Sequence, residues 1–345
     1  MALTVYSDIT PRQTAFSVAN LLKRAMPSMM IEKFGQAYPI PKNNTKTAKW
    51  RRYFLSGATG SNSGNAGDFN VPLADTPLTE GVTPAGSTLE NKDYTVTLEQ
   101  YGDFLEFTDV IMDTHEDFPP LLREMTDILG EQAAHTIETL RYNVLKAGTN
   151  VFYANGSARN AVNTPVTLGM QRRITRSLKR QNAKPLTSMV ASNVKFETRP
   201  IEAAFIALTH PDVENDIRDL SGFISVKQYG SNVEAMEGEI GSVEDVRYVR
   251  STVFEAFEDA GGAINGMLST TGTSADVYPI LYLARDAYGI VPLRGKESVE
   301  VMVVQPKATN TDPLAQRGTI GWKAWNATVI LQDAFMVRAE VAATA

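Results

Sequence analysis

One long helix constrains this chain more than any other feature of its sequence. Apolar residues recur at three- and four-residue spacing from residue 122 to residue 144, which is the pattern of an amphipathic helix. About 28 residues of helix would span roughly 42 Å, longer than a small domain is wide. The sequence therefore predicts a long spine. The positions that carry the pattern are Leu122, Met125, Ile128 or Leu129, Ala133, Ile137, Leu140 and Val144, between Pro119 and Pro120 at the start and Gly148 at the end.

The first hundred residues predict an arm and a loop rather than a domain. Residues 1–50 hold short apolar patches broken by prolines, with one short helix predicted at 14–24. Residues 57–86 are rich in glycine, proline and polar side chains and cannot easily bury enough apolar surface for a core. Residues 93–109 then alternate as strands do. We expect a long hairpin arm that is either disordered or ordered by neighbouring chains.

The rest of the chain mixes helices and strands. A second helix is predicted at 169–182, and a buried strand at 203–208 leads into a further helix at 212–220. The order lacks the regular alternation of a doubly wound sheet, so the predicted class is α+β. Further strands are predicted at 246–250, 278–283, 299–305 and 324–337.

Composition excludes several classes of protein. The chain has no cysteine, so disulfides, thiolate metal sites and cysteine nucleophiles are excluded. No apolar run is long enough to span a membrane and the first residues do not form a secretory signal, which predicts a soluble cytosolic product. A formal net charge of -6 disfavours a dedicated nucleic-acid binder.

The sequence predicts no catalytic, cofactor or metal site, and therefore no enzyme. The motifs with a clear mechanical rationale are absent, and no lysine or arginine between Tyr53 and Asn91 could complete a phosphate site in the glycine-rich loop. Glu131 and His135, one helical turn apart, are interpreted as a pair on a solvated or intersubunit face. The acidic residues at 212, 214, 216 and 219 lack the turn of a calcium loop and are interpreted as the acidic start of a helix.

The second helix carries a basic stripe. It is the best candidate for a surface that faces DNA or a protein partner, although a solvated helix face explains the same pattern. The residues are Arg172, Arg173, Arg176, Lys179 and Arg180.

Five segments of the sequence resemble a known protein family. They lie at 78–86 (LTEGVTPAG), 100–109 (QYGDFLEFTD), 129–134 (LGEQAA), 147–151 (AGTNV) and 312–324 (DPLAQRGTIGWKA). Together with the order of arm, hairpin, spine helix and mixed body, they resemble the tailed-bacteriophage major capsid proteins of the Hong Kong 97-type fold, in particular the family of N-four-like podophages. The resemblance covers nearly the whole chain.

The resemblance implies a division of the chain into named parts. The N-terminal arm is expected at 1–50 and the E-loop hairpin at 51–100. The P domain is expected at 101–189, with its spine helix at 113–148. The A domain is expected at 190–292, and the strands that return to the P domain at 293–345.

The resemblance also implies a function and a set of partners. We expect hexamers and pentamers of this chain to form an icosahedral shell around double-stranded DNA, in a virion assembled in the cytoplasm of a host bacterium. A scaffolding protein and a portal are expected, a decoration protein is compatible, and contact with the packaged DNA should be weak and nonspecific. Because the loop has no lysine, the covalent lysine–asparagine crosslink of some relatives is not expected.

The charges of the hairpin region suggest how neighbouring subunits recognise each other. The charged residues of the loop between Tyr53 and Asn91 are all acidic: Asp68, Asp75, Glu80 and Glu90. We hypothesise that it docks on a basic strip of the next subunit and makes assembly sensitive to salt. The strip consists of Lys42, Lys46, Lys49, Arg51 and Arg52.

Two other functions fit the same sequence. An encapsulin-like protein compartment shares the expected fold and would enclose an enzyme instead of a genome. A hydrolase or a carbohydrate-binding surface protein with a long mobile loop predicts instead a monomer that binds a ligand.

Overall fold

The computed structural model describes residues 30–38, 40, 45–55, 77–83, 86, 88–114, 118–190, 198–230, 235–291, 299–308 and 312–345. Within these ranges the α-helices are α1 (Asp109–Thr114), α2 (Phe118–Lys146), α3 (Leu168–Arg180) and α4 (Glu214–Arg218). None of these helices is long and apolar enough to cross a membrane. Short 3-10 helices lie at Ile31–Lys33, Arg159–Ala161, Pro211–Val213, Val226–Gln228 and Asp333–Phe335.

The described residues contain sixteen strands. The first eight are β1 (Gln36–Ala37), β2 (Thr47–Leu55), β3 (Leu89–Thr97), β4 (Glu99–Thr108), β5 (Val151–Tyr153), β6 (Leu186–Val190), β7 (Thr198–Thr209) and β8 (Phe223–Ser225). The others are β9 (Glu239–Val243), β10 (Val246–Arg250), β11 (Val277–Leu283), β12 (Tyr288–Ile290), β13 (Val299–Val304), β14 (Arg317–Asn326), β15 (Thr328–Ile330) and β16 (Met336–Ala342). Mixed helix and strand content agrees with the predicted α+β class.

The long helix α2 packs against two separate cores. Leu129 and Ile137 lie in a core with Trp322, which belongs to the three-stranded sheet β13-β14-β4. Tyr142 and Leu145, further along the helix, lie in a second core beneath a larger sheet. The predicted spine is confirmed and extends over 29 residues. It does not include residues 109–114, which form the separate helix α1.

The larger sheet has the strand order β5-β16-β11-β7-β10-β9-β8, with β6 paired to β7. Both of its faces are covered, and β11 is therefore buried at every position. Helices α3 and α4 cover one face through Ile174 and Ile217. The other face packs on the end of α2 and on the N-terminal segment through Ile31. Because β5 and β16 lie outside residues 190–292, this sheet crosses the predicted domain boundaries, and the division into domains stays a prediction.

Two predicted elements differ from what the structure shows. The strand predicted at 324–337 is wrong as a single element, because the chain changes sheets within it. Strand β14 pairs with β13 and β4, whereas β15 pairs with β12 and β16 pairs with β11 and β5. The helix predicted at 212–220 is shorter, with a 3-10 turn followed by α4. The His210 side chain caps this turn, since its ring accepts a hydrogen bond from the Asp212 backbone N–H at 3.2 Å.

Candidate functional site

Strands β2 and β3 form a two-stranded ribbon that is separate from the other sheets. They pair antiparallel from Thr47 opposite Thr97 to Leu55 opposite Leu89, a length of about 30 Å. Only the base of the ribbon is buried, in a small core that contains Ala48. An isolated two-stranded ribbon is marginally stable in water. The pairing of β2 with β3 confirms the stem of the predicted hairpin. Most of the loop at its tip, 56–76, lies outside the described residues.

Apolar side chains are exposed along the ribbon and on the described part of its loop. Leu89 is 66% exposed, and Leu78 on the loop is 78% exposed. Tyr53, Leu55 and Val82 are also exposed. Single exposed apolar residues are ordinary in soluble proteins. Five of them on one two-stranded ribbon and its loop indicate a surface that another chain covers.

The basic strip is partly neutralised within its own chain. The Asp93 carboxylate lies 2.5 Å from Lys49 Nζ and accepts hydrogen bonds from Arg51 Nε and Nη2 at 2.8 and 3.1 Å. These bonds, with the one from Arg51 contributing most, hold the pKa of Asp93 below its ordinary value. Strand pairing places Asp93 directly opposite Arg51, and sequence alone did not reveal this partner.

The other charged residues of the docking hypothesis are only partly described. Lys46, Glu80 and Glu90 are exposed, and Arg52 is half-buried on the ribbon. Lys42, Asp68 and Asp75 lie outside the described residues. The docking of acidic loop on basic strip stays a prediction.

Helix α3 carries the basic stripe on the side opposite its buried face. Its first turn is capped by the Thr167 hydroxyl, which accepts a hydrogen bond from Met170 N–H at 3.3 Å. Arg172 Nε donates to Glu244 at 2.9 Å, and Lys179 pairs with Asp245 in the same turn between β9 and β10. The three remaining members of the stripe are exposed and make no ion pair with any residue in the described ranges. These are Arg173, Arg176 and Arg180.

The other candidate groups do not form a catalytic or metal site in the part of the chain that the structure describes. His135 Nδ1 lies 3.0 Å from the Thr139 hydroxyl on the exposed side of α2. The acidic residues at 212–219 have separate partners: Asp212 accepts from the Tyr278 hydroxyl, Glu214 pairs with Arg218 and Arg250, and Asp216 accepts from the backbone and hydroxyl of Thr344. No described group of three or more histidine, aspartate and glutamate side chains could hold a metal ion.

A buried carboxylate on α2 anchors the root of the N-terminal segment, and sequence reasoning missed it. Glu138 Oε1 accepts hydrogen bonds from the backbone N–H groups of Met30 and Ile31, at 2.9 and 3.0 Å. Burial raises the pKa of Glu138 to about 7. Arg141, one turn along, is also buried and donates to Glu32 at 2.8 Å. The signal in the sequence was two charged residues three positions apart on the helix face that also carries Tyr142 and Leu145.

A second buried carboxylate ties the C-terminal strand to its surroundings. Glu340 on β16 is fully buried and lies 2.7 Å from Arg159 Nη2 and 2.9 Å from Arg338 Nε. Arg338 also donates to the Lys146 carbonyl at the end of α2. The last helical turn of the spine is thus joined to the larger sheet by a hydrogen bond from a charged side chain.

Comparison with known proteins places this arrangement in a family. Residues 92–339, more than half of the chain, match a family model described as "Phage capsid protein". The major capsid protein of Pseudomonas phage KPP21 is 21% identical over 240 residues. That alignment covers 65% of this chain and 60% of the relative, so the chain spans about three fifths of the relative's length.

Solved capsid structures share the fold at low sequence identity. The capsid of Ralstonia phage GP4 matches with a TM-score of 0.62 and 13% identity, and the match covers 92% of each chain. The capsid asymmetric unit of cyanophage Pam1 matches with a TM-score of 0.57 and 14% identity over 93% of this chain and 92% of that one. The predicted Hong Kong 97-type fold is confirmed.

Proposed function

Because this chain belongs to the phage capsid protein family, we propose that many copies of it assemble into hexamers and pentamers that form an icosahedral shell around double-stranded DNA. The observation that carries the proposal is the ribbon of β2 and β3, which has a buried base and an exposed apolar length. Beyond its base, such an element gains apolar packing only when another chain covers it. Its ordering is then coupled to assembly.

The expected division of labour follows from the same proposal. The ribbon and its loop, residues 51–100, act as the E-loop on a neighbouring subunit. The A domain comprises residues 190–292, and the P domain comprises the body around α2. A scaffolding protein and a portal take part in assembly in the host cytoplasm, and a decoration protein is compatible with the proposal. Cohesion is noncovalent, because no lysine between Tyr53 and Asn91 is available for a crosslink. We infer no enzymatic activity.

Negative-stain electron microscopy tests this function directly. The chain is expressed alone and with a neighbouring scaffold gene, at low and at moderate salt. Closed shells, tubes or capsomer rings are expected, with nucleic acid rather than an enzyme cargo in the purified particles. A uniformly monomeric protein in every condition would contradict the proposal and favour the hydrolase or carbohydrate-binding reading, and an enzyme cargo would favour the protein compartment.

We also propose that the acidic loop of one subunit docks on the basic strip of the next. Asp93 forms ion pairs with two cations of the strip, Lys49 and Arg51. Attraction between subunits therefore depends on the positive charge of the strip that Asp93 does not neutralise. Replacing Asp93 by asparagine frees both cations. We expect the Asp93→Asn variant to assemble up to a higher salt concentration than the wild-type chain, measured by light scattering.

Charge reversal in the loop is the matching test. A variant with Asp68, Asp75 and Glu80 changed to lysine should fold as a subunit but fail to form shells, because both docking surfaces are then basic. The control reverses three exposed acids elsewhere and so makes the same change in net charge. These are Glu124, Asp219 and Glu258. Normal shells from the loop variant, or equal failure of the control, would refute the docking.

A further inference from the structure

Charge is distributed unevenly along this chain. Between Glu138 and Glu197 there are ten lysines and arginines and no aspartate or glutamate, although the whole chain has a formal net charge of -6. A segment with charges of one sign is typical of an interaction surface or of a solvated tail. Since most of this segment is folded, the positions of its cations distinguish the two.

Half of these cations are used inside the subunit. They neutralise carboxylates or pack on aromatic rings, and so they are structural. The pairs are Arg141 with Glu32, Arg159 with Glu340, Arg172 with Glu244 and Lys179 with Asp245, while Lys146 lies over the rings of Tyr142 and Phe257.

Three of the others form a row on helix α3, which we call the arginine row: Arg173, Arg176 and Arg180. At 100° per residue their side chains project within about 60° of one another and span roughly 10 Å along the helix. This direction is opposite to that of the buried residues Ile174 and Leu178. The row is exposed and has no ion-pair partner among the residues described. The nearby acids Glu244 and Asp245 pair with the two basic residues on the flank of the row.

The surroundings of the arginine row favour a polyanion over a folded protein partner. In the described chain, no large apolar side chain between Ile128 and Ile224 is exposed. Protein interfaces have an apolar centre, and stacking on nucleobases requires aromatic side chains. The surface of α3 offers neither, but it offers three guanidinium groups, which match phosphate oxygens in geometry and charge.

We propose that the arginine row contacts the phosphate backbone of double-stranded DNA without reading its sequence. This inference rests on the proposed function, because it assumes that the shell encloses DNA. Three contacts per copy give weak binding, and the many copies of a shell multiply it. Because the whole chain has a formal net charge of -6, the contact of each single copy with DNA stays weak.

The test measures how DNA binding depends on salt. The full chain, kept dilute and unassembled, is titrated into a fluorescent 30-bp duplex while anisotropy is followed. For three phosphate contacts, affinity should fall roughly 40-fold between 50 and 200 mM salt. The triple variant Arg173→Gln, Arg176→Gln, Arg180→Gln should lose about one unit of the salt slope per arginine. Glutamine propagates helices nearly as well as arginine, and circular dichroism verifies the fold.

A control variant separates the row from overall charge. It changes Arg123, Lys227 and Lys307, three exposed cations elsewhere, to glutamine and so removes the same charge. We expect it to keep the wild-type salt slope. An unchanged slope in the triple variant, or an equal loss in the control, would overturn the inference. Tighter binding of polyglutamate than of the duplex would also overturn it, in favour of an acidic protein partner.

Shell formation is scored separately by microscopy of the same variants. Shells from a triple variant that has lost DNA binding support both the proposed function and the arginine row. Absence of shells from the wild-type chain counts against the proposed function, whereas unchanged DNA binding by the triple variant counts against the arginine row alone.

Discussion

Replacing Glu138 by glutamine should remove a defined pH dependence from the stability of the subunit. Burial raises the pKa of this carboxyl from 4.5 to about 7, so the folded chain holds a proton that the unfolded chain releases between these two pH values. The contribution of Glu138 to stability is therefore fully present below pH 4.5, and it is lost as pH rises through 7. The loss amounts to about 2 to 3 kcal/mol between pH 5 and pH 8.

Urea unfolding of the dilute subunit at pH 5 and pH 8 measures this loss through the fluorescence of its tryptophans. Glutamine has the shape of the protonated glutamate and can accept the same bonds from Met30 and Ile31, but it does not titrate. Glu138→Gln should thus show a decline in unfolding free energy smaller by about 2 to 3 kcal/mol than that of the wild-type chain. Glu124→Gln, an exposed change on the same helix, should decline as the wild type does. Equal declines in Glu138→Gln and wild type would refute the reasoning.

Two further substitutions test the packing around the site. Glu340→Ala leaves Arg159 and Arg338 without their buried carboxylate and should lower the unfolding free energy by about 3–5 kcal/mol, measured by urea unfolding at pH 7; a loss below 1 kcal/mol would show that water replaces the carboxylate. Gly289→Ala places a Cβ 2.6 Å from the Trp50 ring and should cost about 1–3 kcal/mol, with faster proteolysis at the base of the ribbon as the second readout. Unchanged proteolysis would show that the ring moves aside freely.

Periodic elements could be predicted from the sequence because burial imposes their pattern. Helix α2 shows its apolar face at every turn, since that face packs on two cores in succession. Strand β11, which corresponds to the strand predicted at 278–283, is buried on both faces, and this burial accounts for its continuous apolar sequence. The hairpin was predicted from a different signal, a glycine-rich stretch followed by an alternating segment at 93–109, whereas its first strand β2 was not predicted.

Long-range pairing could not be predicted, because it depends on partners far away in the sequence. Asp93 neutralises Arg51 across 42 positions, and Glu138 binds the backbone of Met30 across 108. Neither contact leaves a local pattern in the chain. The break in the strand predicted at 324–337 has the same cause, since successive residues there join different sheets. The basic stripe was visible in sequence, but which of its members are neutralised was not.

Helix α2 packs in one core along its first part and in another core near its end, so it connects the two. It is a single rigid rod about 43 Å long that is shared by two cores. A rotation of only about 10° about one core displaces the far end of the rod by roughly 7 Å. Glu138 attaches the root of the N-terminal segment directly to this rod, and Arg338 attaches the larger sheet to its last turn. Any force on one sheet therefore reaches the other sheet and the N-terminal segment together.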